Sequence, residues 1–153
     1  MHIKLRSWSF ADVNDLSTLA NNRKIWDNVR DYFPHPYTRK KAEEWVGLHH
    51  HKKPVTHYAI EVDGKLAGGI SILTKEDIYR CSAEIGYWIG EPYWGRGIAT
   101  ESIRQLLEII WEQFPEVVRI YAELFTNNVA SSRALEKNGF SLESVRKNKC
   151  KKN

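Results

Sequence analysis

The 153-residue chain carries a net charge of +4, with 42% hydrophobic and 27% charged residues. That balance excludes wholesale disorder and suits one domain whose core buries roughly 70% of the unfolded surface. No apolar run approaches the ~20 residues of a membrane span, no secretory leader stands at the start, and two cysteines (Cys81 and Cys150) are too few for a disulfide framework, so a cytoplasmic protein is expected.

In chain order, residues 3–6 alternate as a short strand, and Ser9 with Asp12 forms a capping signal ahead of the apolar series Val13, Leu16, Leu19 and Ala20. The segment Asp31-Tyr-Phe-Pro-His-Pro-Tyr37 sets two prolines among aromatics and reads as a loop. Thr38 then caps a second helix, with Ala42, Trp45 and Val46 inward, that ends near Lys52. Tyr58, Ile60 and Val62 alternate up to Asp63-Gly64, a strong hairpin signal, and residues 66–73 supply the returning strand. Residues 83–89 form a fourth strand in which Gly86 marks a bulge or a close approach to the backbone.

A long helix follows, with Ile103, Leu106, Leu107, Ile110, Trp111 and Phe114 repeating at three and four residues until Pro115 stops it. Val118, Ile120, Ala122 and Leu124 alternate along a fifth strand. A short helix then reaches Asn138 with Gly139 as its left-handed stop, and Phe140 opens a last strand. The expected class is α/β (α+β): a mixed, mostly antiparallel sheet with helices on its faces, in the order β-α-α-β-β-β-α-β-α-β. Arg146, Lys147, Lys149, Lys151 and Lys152 crowd the C-terminus without interleaved aromatics and read as a solvated tail rather than a nucleic-acid contact.

The chemistry concentrates where the fourth strand meets the long helix, at Glu91-Pro-Tyr-Trp-Gly-Arg-Gly-Ile-Ala-Thr100. Glycines there permit backbone conformations that side chains forbid, and the free amides of a helix start favour an anion such as a phosphate. A ligand-free glycine-rich turn is the alternative, and the lysine and hydroxyl residue of a nucleotide-triphosphate loop are missing. The run His49-His50-His51 suggests metal, yet three successive helical residues point in three directions, so no metal site is expected.

Trp94-Gly-Arg-Gly-Ile-Ala99 resembles the acetyl-CoA signature Q/R-x-x-G-x-G/A of the GNAT N-acetyltransferase superfamily, with Trp94 in place of the first polar residue. Glu84-Ile-Gly-Tyr-Trp-Ile-Gly90, the Asn128-Val-Ala-Ser131 segment and Leu135-Glu-Lys-Asn-Gly-Phe140 are similar to the branch that includes the RimJ/RimL ribosomal-protein N-terminal acetyltransferases. What the resemblance implies is an acetyl-CoA-dependent enzyme in which the fourth strand splays from the fifth and pantetheine lies in the gap beside Tyr87, Trp88 and Ile89. The pyrophosphate would rest on Trp94, Gly95, Arg96, Gly97, Ile98, Ala99 and Thr100. Asn128 and Ser131 would lie beside the pantetheine and thiol, and Arg133 toward the nucleotide end.

Direct attack by an amine needs a base and benefits from an acid. Glu84 is the base candidate, against an ordinary strand residue or substrate anchor. Ser131 is the acid candidate, against simple helix capping, with Tyr93 as a weaker alternative. Tyr32, Phe33, Tyr37 and Trp45 would wall the acceptor site or pack the core. A protein N-terminus is the expected acceptor, while a small amine such as a polyamine or aminoglycoside, or an acetyl-CoA-binding module without turnover, are the alternatives. The family normally adds another strand after the one at Phe140, for which few residues remain.

Overall fold

A computed structural model describes residues 1–29, 33–123 and 129–141. Strands β1 (Ile3–Ser7), β2 (His57–Val62), β3 (Lys65–Thr74), β4 (Ser82–Ile89) and β5 (Arg119–Tyr121) lie in that spatial order in one sheet. The first four are antiparallel, and β5 joins β4 in parallel. Helices α1 (Val13–Ala20), α2 (Arg23–Trp26) and α3 (Arg39–His49) follow β1, α4 (Ile98–Gln113) joins β4 to β5, and α5 (Val129–Lys137) comes after β5.

Local chemistry explains most boundaries. The Ser9 hydroxyl accepts from the Ala11 amide while Asp12 accepts from the Ser9 amide, closing the box that starts the first helical turn. Asp12 also takes both arms of Arg6, at 2.8 and 2.9 Å, and the Arg6 Nε donates to Glu61 at 2.8 Å, so one guanidinium fastens β1 to β2 and to the start of α1. Asp63 and Gly64 take φ of 50° and 84°, the pair of positive values that a two-residue hairpin of matching twist requires. The Thr38 hydroxyl accepts from Lys41 to begin α3. Gly139, at φ 88°, turns the chain after α5 so that the Phe140 amide returns to the Leu135 carbonyl.

Two cores sandwich the sheet. Ile98, Ile103, Leu106 and Ile110 of α4, with Ala134 and Leu135 of α5, pack on Ile60, Ile70, Ile72 and Ile85. On the opposite face Val13, Leu16 and Ala20 of α1 and Ala42 and Val46 of α3 pack with Trp8, Ala59 and Leu66.

Several expectations are corrected. Of the two readings of Gly86 the bulge fails, because the β3–β4 register runs unbroken through it; the register shift lies instead in the β2–β3 pair, where Ala67 of β3 falls between the partners of Ile60 and Glu61. Helix α2 is too short to show a periodicity in the sequence, and α3 ends at His49 rather than near Lys52. Trp111 continues the spacing of α4 but is 54% exposed, because the helix presents that side to solvent. Val118, which belongs to the alternating pattern of the fifth strand, is 73% exposed and lies before β5, its amide bonding the Cys81 carbonyl. Phe140 and Ser141 are not strand, because the amide of Phe140 is spent on closing α5. Leu124, the lysine-rich tail and the remainder of the expected last strand lie outside the described residues.

Candidate active site

The β4–β5 ladder is short. Its rungs are Ser82 with Arg119, Ala83 with Ile120 and Glu84 with Tyr121, whereas β4 stays paired with β3 as far as Ile89 opposite Gly68. Among the described residues β4 therefore offers an open backbone edge after Glu84. Alternate amides and carbonyls of that edge face away from β3, so an extended ligand can pair with them as a strand would. The Ile89 carbonyl is already engaged by the Trp94 indole, whose Nε1 donates to it at 2.7 Å.

The edge leads directly into the glycine turn. Gly95 and Gly97 both take φ of 76°, a region that L side chains rarely adopt, and a β-carbon placed on either would meet nothing within 4 Å. The space above them is open. Gly97 caps α4 without any side chain, and the first bond closing the helix runs from the Glu101 amide to the Gly97 carbonyl at 3.1 Å. Among the described residues nothing accepts from the amides of residues 95–100. These bare donors at the positive end of a 16-residue helix fit a pyrophosphate. Asn138 braces the turn from behind, donating to the Thr100 and Ala134 carbonyls at 3.1 and 2.9 Å and so tying α5 to the first turn of α4. Arg96 is exposed at the rim, its guanidinium 5.9 Å from the Tyr93 ring.

The two faces of β4 carry different chemistry, as side chains alternate along a strand. Tyr87 faces α4 and α5, and its hydroxyl donates to the Ser131 carbonyl at 3.1 Å. Burial pushes the Tyr87 phenol above its ordinary pKa, which keeps it protonated and a donor at neutral pH. Ser131 thus sits in the first turn of α5 beside the open part of β4. Arg133, two residues on, is exposed.

Glu84, Gly86 and Trp88 project from the other face, toward α1 and α3. Glu84 is only 5% exposed, and the Lys75 ammonium approaches its carboxylate to 3.8 Å. A buried carboxylate with a cation beside it occupies the last rung before the strands part. A β-carbon on Gly86 would meet only the Ser71 hydroxyl, at 3.9 Å, so the glycine leaves room over the sheet between Glu84 and Trp88.

Aromatic rings bound this space. Phe33 packs edge-on against Trp88 with centroids 5.9 Å apart and touches Tyr37 at 5.3 Å. Tyr37 is 5% exposed and supports the loop from within the core, whereas Phe33 is set toward Trp88; Tyr32 lies outside the described residues. Trp45 packs against His49 and His57, which stack on each other at 4.0 Å. The three histidines at the end of α3 do not all diverge: His49 turns to His57 and Trp45, whereas His50 meets Phe10 and its ring lies 3.8 Å from that of His51. Asn128 is outside the described residues.

Sequence reasoning misses Lys75, His57 and the partnership of Tyr87 with Ser131. The Lys75 contact depends on the β3–β4 register, which no local pattern reveals. His57 stands at the start of a strand whose apolar alternation begins only at Tyr58.

His57 carries a stability prediction. Burial, followed by the charges of His49 and Lys52, lowers its pKa to about 4 from 6.5. The folded state therefore binds this proton less readily than the unfolded chain, so the stability due to the neutral ring is complete above pH 6.5 and is lost as pH falls toward 4. His49 shifts in the same direction by burial first and Lys52 second. Thermal melts recorded between pH 7 and 4.5 are expected to fall more steeply for the wild type than for His57→Phe, which keeps a ring but cannot titrate. Parallel slopes would contradict the assignment.

An opened sheet edge running into a helix start with bare amides, with a carboxylate on one face of β4 and hydroxyls on the other, is an arrangement that suits an acyl-CoA-dependent transferase. The acetyltransferase (GNAT) domain model matches residues 2–141, and the chain belongs to that family. It is an acetyl-CoA-dependent N-acetyltransferase. Over 149 residues it is 25% identical to the probable N-acetyltransferase YjcK of Bacillus subtilis, covering 88% of this chain and 81% of that protein. It is 31% identical over 106 residues to the ribosomal-protein-serine acetyltransferase of Escherichia coli, covering 69% of this chain and 58% of the relative. A solved acetyl transferase from Salmonella typhimurium, described as modifying the N-terminal serine of a ribosomal subunit protein, superposes with a TM-score of 0.76 at 26% identity, covering 99% of this chain and 87% of that one.

Proposed function

We propose that this enzyme acetylates the α-amino group of a protein or peptide in the cytoplasm. The observation that carries this reading is the placement of Glu84 at the final β4–β5 rung, on the face of the sheet opposite Ser131 and Tyr87. An acceptor amine entering from the Glu84 side meets the thioester carbonyl in the gap, and the departing thiol faces the hydroxyls of α5 and Tyr87. The carboxylate takes the ammonium proton, directly or through a water, and an outward amide of residues 85–89 receives the developing oxyanion. Ser131 returns a proton to the thiolate, with Tyr87 fixing its turn of helix. The backbone near Tyr87 and Trp88 pairs with pantetheine, the turn from Trp94 to Thr100 holds the pyrophosphate, and Arg133 and Asn128 complete the cofactor's surroundings.

The α-amine follows from proton chemistry and from the relatives. With an ordinary pKa near 7.7 to 8.0, roughly a tenth of it is neutral at pH 7, against about 0.04% of a lysine amine. Relatives named for ribosomal-protein serine support the same acceptor class. Phe33 and the rest of the loop at residues 32–38 would grip the chain end above Trp88. With labelled acetyl-CoA, transfer to free-amine peptides is expected to exceed transfer to Nα-blocked lysine peptides, spermidine and aminoglycosides. Faster transfer to any of those three overturns the proposal.

A further inference from the structure

A cavity lies at the paired end of the β4–β5 ladder, on the sheet face that carries Glu84. It has a volume of about 390 Å³ and is lined by Lys75, Tyr79, Ser82, Arg119 and Tyr121. Two of the five lining residues are cations and none is a carboxylate. Both cations approach Tyr121, with the Lys75 ammonium 5.9 Å and the Arg119 guanidinium 5.2 Å from its ring centroid. Glu84 is outside the lining but shares the rung of Tyr121, and Lys75 reaches its carboxylate only at 3.8 Å, near the outer limit of an ion pair. The Lys75 ammonium is therefore placed to serve a second carboxylate without leaving the first.

Spacing gives this basic lining a purpose. Ser82 and Arg119 form one rung of the ladder and Glu84 and Tyr121 the rung two residues on, on the same face. Two residues of strand span about 7 Å. An extended peptide whose amino group lies at Glu84 and whose chain runs toward Ser82 therefore brings its second or third side chain over the cavity. We infer that this cavity seats a carboxylate of the acceptor, so that the enzyme selects peptide N-termini with Asp or Glu at the second or third position. The inference rests on the α-amine reading of the Glu84 site. Lys75 and Arg119 supply charge-assisted donors, the tyrosine rings sandwich the side-chain stem, and a lysine in the same place meets two like charges.

The test uses matched hexapeptides that begin with serine and carry Asp, Asn or Lys at position two or three, assayed by thiol release with the full chain. Wild type is expected to give kcat/KM roughly tenfold higher for Asp than for Asn at one of these positions, with Lys lowest. The preference should shrink as salt rises from about 0.05 to 0.5 M, over which the Debye length falls severalfold. Lys75→Glu should invert the Asp-to-Lys ratio, and Lys75→Arg should keep it. Ratios between peptides cancel any common effect of Lys75 on the neighbouring Glu84. Arg119→Gln, measured in the same way, should flatten the ratio without inverting it. Equal kcat/KM for Asp, Asn and Lys peptides in an enzyme that acetylates all of them overturns the carboxylate seat and leaves the α-amine reading standing. Acetylation of amines outside this panel with none of the peptides modified overturns both.

Discussion

Replacing Gly97 by aspartate is expected to weaken acetyl-CoA binding at least 100-fold by calorimetry, about 2.7 kcal/mol. The residue caps α4 at φ 76°, in the middle of the amides that are left without acceptors. A carboxylate there sets a negative charge against an incoming pyrophosphate and competes for the donors it needs. The fold should survive, because a β-carbon at Gly97 meets nothing within 4 Å and the remaining cost is that of a left-handed residue, about 1–2 kcal/mol. Gly97→Asn separates the two effects. Asparagine has nearly the same shape and tolerates the left-handed region, so it shares the strain without the charge. The expected order of affinity is wild type, then asparagine, then aspartate well below. An aspartate variant that binds within twofold of wild type while melting normally would remove the pyrophosphate from this turn.

Features set by neighbours along the chain are legible in the amino-acid sequence alone. The Ser9 and Asp12 box, the Asp63-Gly64 hairpin, the Thr38 cap and the Gly139 stop each need only a few consecutive residues, and each stands where the pattern puts it. The bare helix start at Gly97 is legible for the same reason, since glycine content and an apolar repeat mark it locally. Features set by pairing across the sheet are not. Lys75 approaches Glu84 because Leu73 lies opposite Glu84, and that register depends on the turn at residues 75–81. Tyr87 reaches the Ser131 carbonyl across 44 positions of chain. Periodicity also misjudges what covers a surface: Trp111 fits the helical repeat, but it falls beside the buried stripe of Ile103, Leu106 and Ile110, on the side that faces solvent. Gly86 shows the converse. A glycine inside a strand suggests a bulge, yet the ladder there is regular and the open side of the residue faces the space between Glu84 and Trp88.

Glu84→Gln is expected to lower kcat/KM by roughly 100-fold at pH 7, the lower end of what a general base contributes. The loss should depend on pH with a definite sign. Below the amine pKa of about 7.7 to 8.0 nearly every acceptor is an ammonium ion and needs the carboxylate. Above it the neutral amine dominates, so the variant should recover toward wild type between about pH 8 and 9.5 while wild type levels off. A merely structural carboxylate would give a loss that does not vary with the protonation of the acceptor. Folding is a smaller concern, because the Lys75 side chain is 36% exposed and its ammonium can return to water when its partner is neutralised. Acetyl-CoA affinity provides the control: Glu84 lies on the face of β4 opposite α4 and α5, away from the amides at the start of α4, so binding measured by calorimetry should match wild type. Matched affinity together with a pH-dependent loss of turnover makes Glu84 the proton acceptor. Full activity at pH 7, or a deficit that stays constant up to about pH 9.5, would assign the proton to another group.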